Sequence, residues 1–480
     1  MARASSCRTF DGDFFQLAEL CEEEVTSAAQ LEEQLEKIYN QVFNVDFARY
    51  DLRRLRDAAP DLLDDFYDLR LKLRGCIAGW RSSGFITPKA EKLLRDVFRA
   101  LRYATDLIGE LMIGFRQRKP GKSRRIAFAK RTRGTLFHPD LRGARFAEFK
   151  SGDIIVVRGT IHNSAAIARI SDVDSQFSHA ALVYIDPNGR QHVVEALIEA
   201  GATINNLHSA LSHDLGRAVV FRHKDPELAH RAAEQIYQHV RRSRGLFSRR
   251  IPYDFSMELE GYDKLFCSKL IRQAFDEASD GAHVLPTFAS RFEQGSRDFL
   301  DRIGVTARVS FAPADLELEP AFEAIAEWRD FERTSHIRLQ DFVMVKLFEW
   351  MEQDGYTFKE PPALHIVSRL GRASAYIPWP LSKLLALVAP PVPMNMKRST
   401  ISAIAMLHYS AEPLFKRLQT LERKSVSERG YPLHPREVFA YLESIREASP
   451  ERVGYLWAPK DEGDVSATEK AAKDKAAETA

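Results

Sequence analysis

The chain has 480 residues, 45% of them hydrophobic and 28% charged, and Lys+Arg 69 against Asp+Glu 67 leaves a net charge of +2. At roughly 100–200 residues per domain, two or three domains are expected. The balance excludes wholesale disorder and a polytopic membrane protein, and it lacks the positive excess of a nucleic-acid binder, so no nucleic-acid partner is expected.

The N-terminus has no apolar h-region, and no run of about 18 uncharged apolar residues occurs. A cytoplasmic location is therefore expected, with signal-independent export as the route outward. Four cysteines, Cys7, Cys21, Cys76 and Cys267, include no C-x-x-C pair. They exclude a disulfide framework and a zinc site, and they suit a reducing compartment.

In chain order, residues 1–115 are expected to form a helical bundle or hairpin. Ala28, Leu31, Leu35, Ile38 and Val42 recur at alternating steps of three and four, the seam of a helix packed on another. Pro60–Ile77 and Pro88–Phe115 read as further helices. Residues 116–148 read as a basic linker, with nine Lys/Arg and no acid between Arg116 and Arg133. Gly121-Lys122-Ser123 is not a phosphate-binding loop, because Arg116 stands where the first glycine is required.

Residues 149–310 change texture to α+β. Asp153–Arg158, Ser178–Ile185, Gln191–Leu197 and Arg217–Arg222 read as strands, with the turn Asp186-Pro187-Asn188-Gly189 between the second and third. Helices are predicted over Pro226–Arg242 and Asp263–Phe275, the latter with Asp263 as N-cap. Residues 311–459 read as a helical C-terminal region, with helices at Ile337–Met351, Ile401–Glu422 and from Pro435. Residues 460–480 lack an apolar face and are expected to be disordered.

Three polar residues occupy positions where the pattern predicts burial. His179 shares a strand face with Ala181, Val183 and Ile185, and Glu195 shares one with Val193 and Leu197. Cys267 lies on the helical stripe of Leu270, Ile271, Ala274 and Phe275. All three are expected to point into the layer between sheet and helix. A thiol hydrolase needs this inventory: a thiol near a helix start, an imidazole to hold the ion pair and protonate the leaving group, and a third group to orient the imidazole. Taken singly, an inward cysteine, a strand histidine and a buried glutamate are ordinary core features. Their combination favours chemistry.

The segments Gly152-Asp153-Ile-Ile, Ser178-His179-Ala-Ala-Leu, Val193-Val-Glu195-Ala, Tyr253-Asp254 and Leu265-Phe-Cys267-Ser268-Lys269-Leu-Ile resemble the permuted NlpC/P60, YiiX/YaeF-like group of papain-fold cysteine hydrolases. The resemblance covers about 150–310. It implies a permuted papain-like core, a small antiparallel sheet with packed helices, flanked here by N- and C-terminal helical regions. It implies Cys267 as nucleophile, His179 as base, Glu195 as orienting residue and Tyr253 as a helper of the oxyanion site. Lys269, where an acidic residue is usual, and Ala180-Ala181, in place of Val-Gly, depart from the family's pattern.

The implied reaction is cleavage of an amide through a thioester acyl-enzyme, with no cofactor and no metal. A lipid acyl hydrolase or acyltransferase on the same residues, or a catalytically silent binding module, are the alternatives. The expected partner is an amide- or acyl-bearing substrate, anionic if the basic cluster Arg241–Arg250 rims the cleft. Trp379, Leu381, Leu384, Leu385 and Leu387, with Lys383, Lys397 and Arg398 nearby, suit either peripheral membrane contact or packing of the C-terminal helices. A metal site built from His179, Cys267 and the histidines His162, His208 and His213 lacks recognisable spacing.

Overall fold

The computed structural model describes residues 10–117, 132–142, 148–171, 174–212, 214–244, 250–292, 297–361 and 396–459. Most of the basic run (118–131), part of the second basic cluster (245–249), the apolar stretch 375–394 and the tail from 460 lie outside the described residues.

Four helices open the chain: α1 (Phe10–Glu22), α2 (Ala28–Phe43), α3 (Leu52–Ser82) and α4 (Pro88–Met112). Ser27 accepts the Gln30 amide, Asp51 those of Arg53 and Arg54, and Thr87 that of Ala90, so α2, α3 and α4 start at side-chain caps. The Asp51 cap starts α3 well before Pro60, which lies inside the helix. The α2 seam of Leu31, Leu35, Ile38 and Val42 is buried in a core shared with Leu94, Val97 and Leu101 of α4.

The middle of the chain builds β1 (Thr135–Phe137), β2 (Ile154–Gly159), α5 (His162–Arg169), β3 (His179–Ile185), β4 (Gln191–Leu197), β5 (Gly201–Asn206) and the one-turn α6 (Leu207–Ala210). It continues with β6 (Leu215–His223), α7 (Pro226–Ser243), α8 (Cys267–Ala278), β7 (Ser290–Arg291), α9 (Asp298–Ile303), β8 (Val309–Ser310) and β9 (Phe322–Arg329). The C-terminal part holds α10 (Phe331–Glu352), β10 (Thr357–Phe358), α11 (Arg398–Arg429), α12 (Pro435–Glu447), β11 (Arg452–Val453) and β12 (Leu456–Trp457).

Seven strands form one sheet in the order β1-β9-β6-β2-β3-β4-β5, every neighbouring pair antiparallel. One face carries Ile154, Val156, Leu182, Val194 and Phe221 against Leu228 and Ile236 of α7 and Leu270, Ile271 and Phe275 of α8. The other face carries Ile155, Val157, Ala181, Val183 and Val193, covered by Phe137, Leu207 and Leu211. The architecture is mixed helix and sheet with helical regions on both sides, as the α+β texture implied.

The sheet is larger than expected. The four predicted strands form close to their predicted limits, but β1, β5 and β9 join them. β9 comes from a stretch read as helical, because the Ala and Glu of Phe322-Glu-Ala-Ile-Ala-Glu-Trp-Arg329 are good helix formers. Pairing with β6 along Phe322–Arg329 overrides that local preference.

Buried polar contacts fasten the N-terminal helices to this sheet. The Tyr67 hydroxyl donates to the Ala324 carbonyl at 3.0 Å, Arg70 of α3 pairs with Glu327, and Arg329 reaches Asp106 of α4 at 2.8 Å. Arg102 of α4 holds both Glu317 and the Gln176 side chain, three residues before His179. In the C-terminal part Val343, Leu347 and Phe348 of α10 pack with Leu407, Leu414 and Leu418 of α11 and Leu442 of α12. Among the described residues no helix is long and apolar enough to cross a membrane.

Candidate active site

The start of α8 differs from the sequence reading in an informative way. Cys267 is its first residue, Phe266 is the extended N-cap, and no side chain caps the end; Asp263 does not. The cause is a parallel bridge between Tyr253 and Leu265. The Leu265 amide donates to the Pro252 carbonyl at 3.1 Å and the Asp254 amide to the Leu265 carbonyl at 3.2 Å, which hold Leu265 extended. Helix can begin only after it. The thiol therefore sits at the positive end of a helix whose first amides lack a side-chain acceptor.

His179 is the first residue of β3 and Glu195 lies on β4. Strand parity puts both on the face of Ala181, Val183 and Val193, which is turned away from α7 and α8. That corrects the expectation that all three polar groups point into the layer between sheet and helix. Alternation shows which side chains share a face, whereas Cys267 meets His179 at the first residue of β3. There the Ala180 backbone hydrogen-bonds the thiol.

His179 joins the other two. Its Nε2 lies 2.7 Å from Glu195 Oε2, and its ring also hydrogen-bonds Cys267. With Nε2 taken, Nδ1 is the nitrogen left for the thiol. The His179 side chain is 23% exposed and that of Glu195 is 5% exposed, so the imidazole is reachable and its carboxylate is not. Burial disfavours the imidazolium, but the hydrogen bonds and charges of Cys267 and Glu195 outweigh it and raise the His179 pKa. Burial likewise opposes the Cys267 thiolate, and the His179 hydrogen bond and charge, with the Ala180 amide, bring the thiol's pKa below its ordinary value. The pair favours thiolate and imidazolium together.

Tyr253 is buried beside this pair, edge-on to Phe255 with ring centroids 5.1 Å apart. Burial, then the charges of Cys267, Glu199 and Asp254, raise its pKa well above the usual phenol value, so it keeps its proton. Lys269, the departure from the family's pattern, is buried on α8 and donates to Asp254 Oδ2 at 2.8 Å and to the Glu260 carbonyl at 2.9 Å. Asp254 Oδ1 accepts from the Ser256 amide and hydroxyl. Helix α8 and the Tyr253 segment are thus tied by a buried charge pair.

The sequence reading missed Asn205, whose Nδ2 donates to Glu195 Oε1 at 2.7 Å. It lies on β5, and its run Thr203-Ile-Asn-Asn206 ends in residues that signal a turn. Of the basic cluster, Arg244 ties the end of α7 to β5 through Thr203 Oγ1 at 2.9 Å. His162 pairs with Glu412 at 2.8 Å, and His213 lies outside the described residues. Among the described residues no group of three or more His, Cys, Asp or Glu is arranged to hold a metal ion.

Residues 148–315 match the family model of the permuted papain-like amidase enzymes, YaeF/YiiX, C92 family. The match coincides with the resemblance seen over about 150–310. Comparison with curated proteins and with solved structures returned no match.

Proposed function

We propose that the protein is a cysteine hydrolase that cleaves an amide through Cys267, with His179 as general base and acid and Glu195 as the carboxylate that orients it. The observation that supports this is the run of contacts from the Cys267 thiol through His179 to Glu195, at the uncapped start of α8. The family match over 148–315 supports an amide as the bond cleaved.

In this reading the Cys267 thiolate attacks the carbonyl carbon, forming a C–S bond while the carbonyl π pair moves to oxygen. The first amides of α8 stabilise that oxyanion, and the protonated Tyr253 hydroxyl is the side-chain donor assigned to it. The C–N bond then breaks, and His179 delivers its proton to the departing nitrogen. Water attacks the resulting thioester as His179 removes its proton, and the thiolate leaves. Glu195 keeps the imidazole facing Cys267 and stabilises its charged form without taking the proton. The helices of region 1–115 and those from α10 onward serve in this reading as additions to the catalytic part, whose sheet is extended by β9.

The test is the pH dependence of iodoacetamide alkylation at Cys267, in the wild type and in His179→Ala. Rapid labelling near pH 6 that collapses in the variant is the expected result. Slow labelling with an ordinary thiol profile in both proteins would make Cys267 a packing residue, and a binding module would then lead.

A further inference from the structure

His179, Glu195 and Asn205 stand on three consecutive strands of the sheet, β3, β4 and β5, and their side chains share one face. The register settles this: Val193 pairs with Asn205 and Glu195 with Thr203, so Asn205 is the diagonal neighbour of Glu195 on the same side. The contacts follow the same line. His179 Nε2 meets Glu195 Oε2 at 2.7 Å, and Asn205 Nδ2 meets Glu195 Oε1 at 2.7 Å. Each oxygen of the carboxylate therefore has its own hydrogen-bond partner.

Glu195 is almost fully buried, and a buried carboxylate is expensive unless its oxygens are hydrogen-bonded. An amide N–H can only donate, so this contact favours the ionised carboxylate and sets its rotation about the last side-chain bond. That rotation decides whether the second oxygen meets His179 squarely. Asn205 is itself half-buried and sits next to the end of β5. Its substitution removes a donor without opening the core.

We propose that Asn205 is a positioning residue for the candidate site: its side-chain amide holds Glu195 in the rotation that orients His179 towards Cys267. This rests on the catalytic reading above, which assigns roles to the other three residues. Asn205 touches neither the thiol nor the imidazole. It acts through the carboxylate.

The test is the pH profile of Cys267 alkylation by iodoacetamide, followed by intact mass, in the wild type, Asn205→Ala and Asn205→Asp. Asn205→Asp keeps the shape and replaces the donor by an acceptor. Thermal unfolding on the same samples reports whether either variant is damaged. Asn205→Ala is expected to unfold near the wild-type temperature while labelling at pH 6 falls about fivefold, the scale of one lost hydrogen bond, and Asn205→Asp, whose carboxylate faces that of Glu195, is expected to lose more. At pH 9, where the thiolate forms without help, all three should label at similar rates.

Wild-type labelling that is fast at pH 6 and unchanged in both variants would overturn the role of Asn205 and leave the catalytic reading standing. An equal loss of rate at pH 6 and pH 9 would also overturn it, since that is the signature of general damage. Wild-type labelling with no advantage at pH 6 would remove the catalytic reading itself, and the positioning role with it.

Discussion

Lys269 Nζ and Asp254 Oδ2 lie 2.8 Å apart with side chains only 2% and 7% exposed, joining the third residue of α8 to the segment that carries Tyr253. Removing one partner of such a pair leaves an uncompensated buried charge, which costs about 3–5 kcal/mol. Lys269→Met and Asp254→Asn are each expected to lower the free energy of unfolding, read from urea titrations, by an amount in that range. Lys269→Met combined with Asp254→Leu should recover much of the loss, because the pair's desolvation cost disappears with it. Additive losses in the double variant would mean that the two residues act separately.

A second expectation concerns the charge of Glu195. Burial works against the His179 imidazolium, and hydrogen bonds and charges from Cys267 and Glu195 more than restore it. The ion pair exists between the lowered pKa of the thiol and the raised pKa of the imidazole. Glu195→Gln keeps an acceptor and removes the charge, so the upper edge of that window should fall and the lower edge rise. Alkylation of Cys267 at pH 6 is expected to drop about tenfold, as for the loss of one charge-assisted contact, with convergence near pH 9. An unchanged profile would show that Glu195 is a structural partner and no more.

The parts of the site legible in the sequence are those that violate a pattern. His179 and Glu195 interrupt apolar alternation, and Cys267 lies on a buried helical stripe, so all three stand out from the residue pattern alone. Asn205 violates nothing, since an Asn-Asn pair after a short run reads as the end of a strand. Its place depends on the pairing of β5 with β4, a non-local fact. The same limit hid β9, whose Ala and Glu residues favour helix until β6 pairs with them. The start of α8 was misplaced because the Tyr253–Leu265 bridge, absent from local sequence signals, forbids helix before Phe266. Alternation also could not tell which sheet face His179 and Glu195 share, and the thiol meets His179 at the first residue of β3.

Gly201 offers a test of how tightly β5 is held to the Tyr253 segment. Its φ is +67°, and a Cβ there would lie 2.2 Å from the Ile251 carbonyl oxygen, a backbone atom. The Ala202 amide donates to that same carbonyl at 3.0 Å. Gly201→Ala must therefore move either β5, with Asn205, or the Ile251-Pro252 segment before Tyr253. Gly189 provides the control, with φ +77° and nothing within 4 Å of an added Cβ. Gly189→Ala should cost only the left-handed strain of about 1–2 kcal/mol and leave Cys267 labelling at pH 6 unchanged. Gly201→Ala should cost more and slow labelling as well. Equal effects in the two variants would show that the Gly201–Ile251 contact does not brace the site.

The last expectation concerns acid stability, away from the catalytic groups. His336 on α10 faces the Thr160 carbonyl at 3.2 Å, the Gln419 side chain at 3.5 Å and the Phe415 ring at a centroid distance of 4.6 Å. Burial lowers its pKa to about 4; the Thr160 carbonyl opposes the shift, and Arg333, His162 and Arg158 add to it. Above about pH 6.5 the ring is neutral in both folded and unfolded chains, and its contribution to stability is fully present. Between about pH 6.5 and 4 the unfolded chain binds a proton that the folded one refuses, so stability falls as pH falls, by at most about 1.4 kcal/mol per pH unit. His336→Gln retains a donor for Thr160 and cannot titrate in this range. Urea unfolding at pH 7.5, 6 and 5 should therefore give a shallower loss for His336→Gln than for the wild type, by up to one proton's worth of slope. His162, His223 and His283, whose pKa values burial also lowers, add slope of the same sign to both proteins. Parallel slopes for the two proteins would mean that His336 takes up its proton in the folded state as readily as in the unfolded chain.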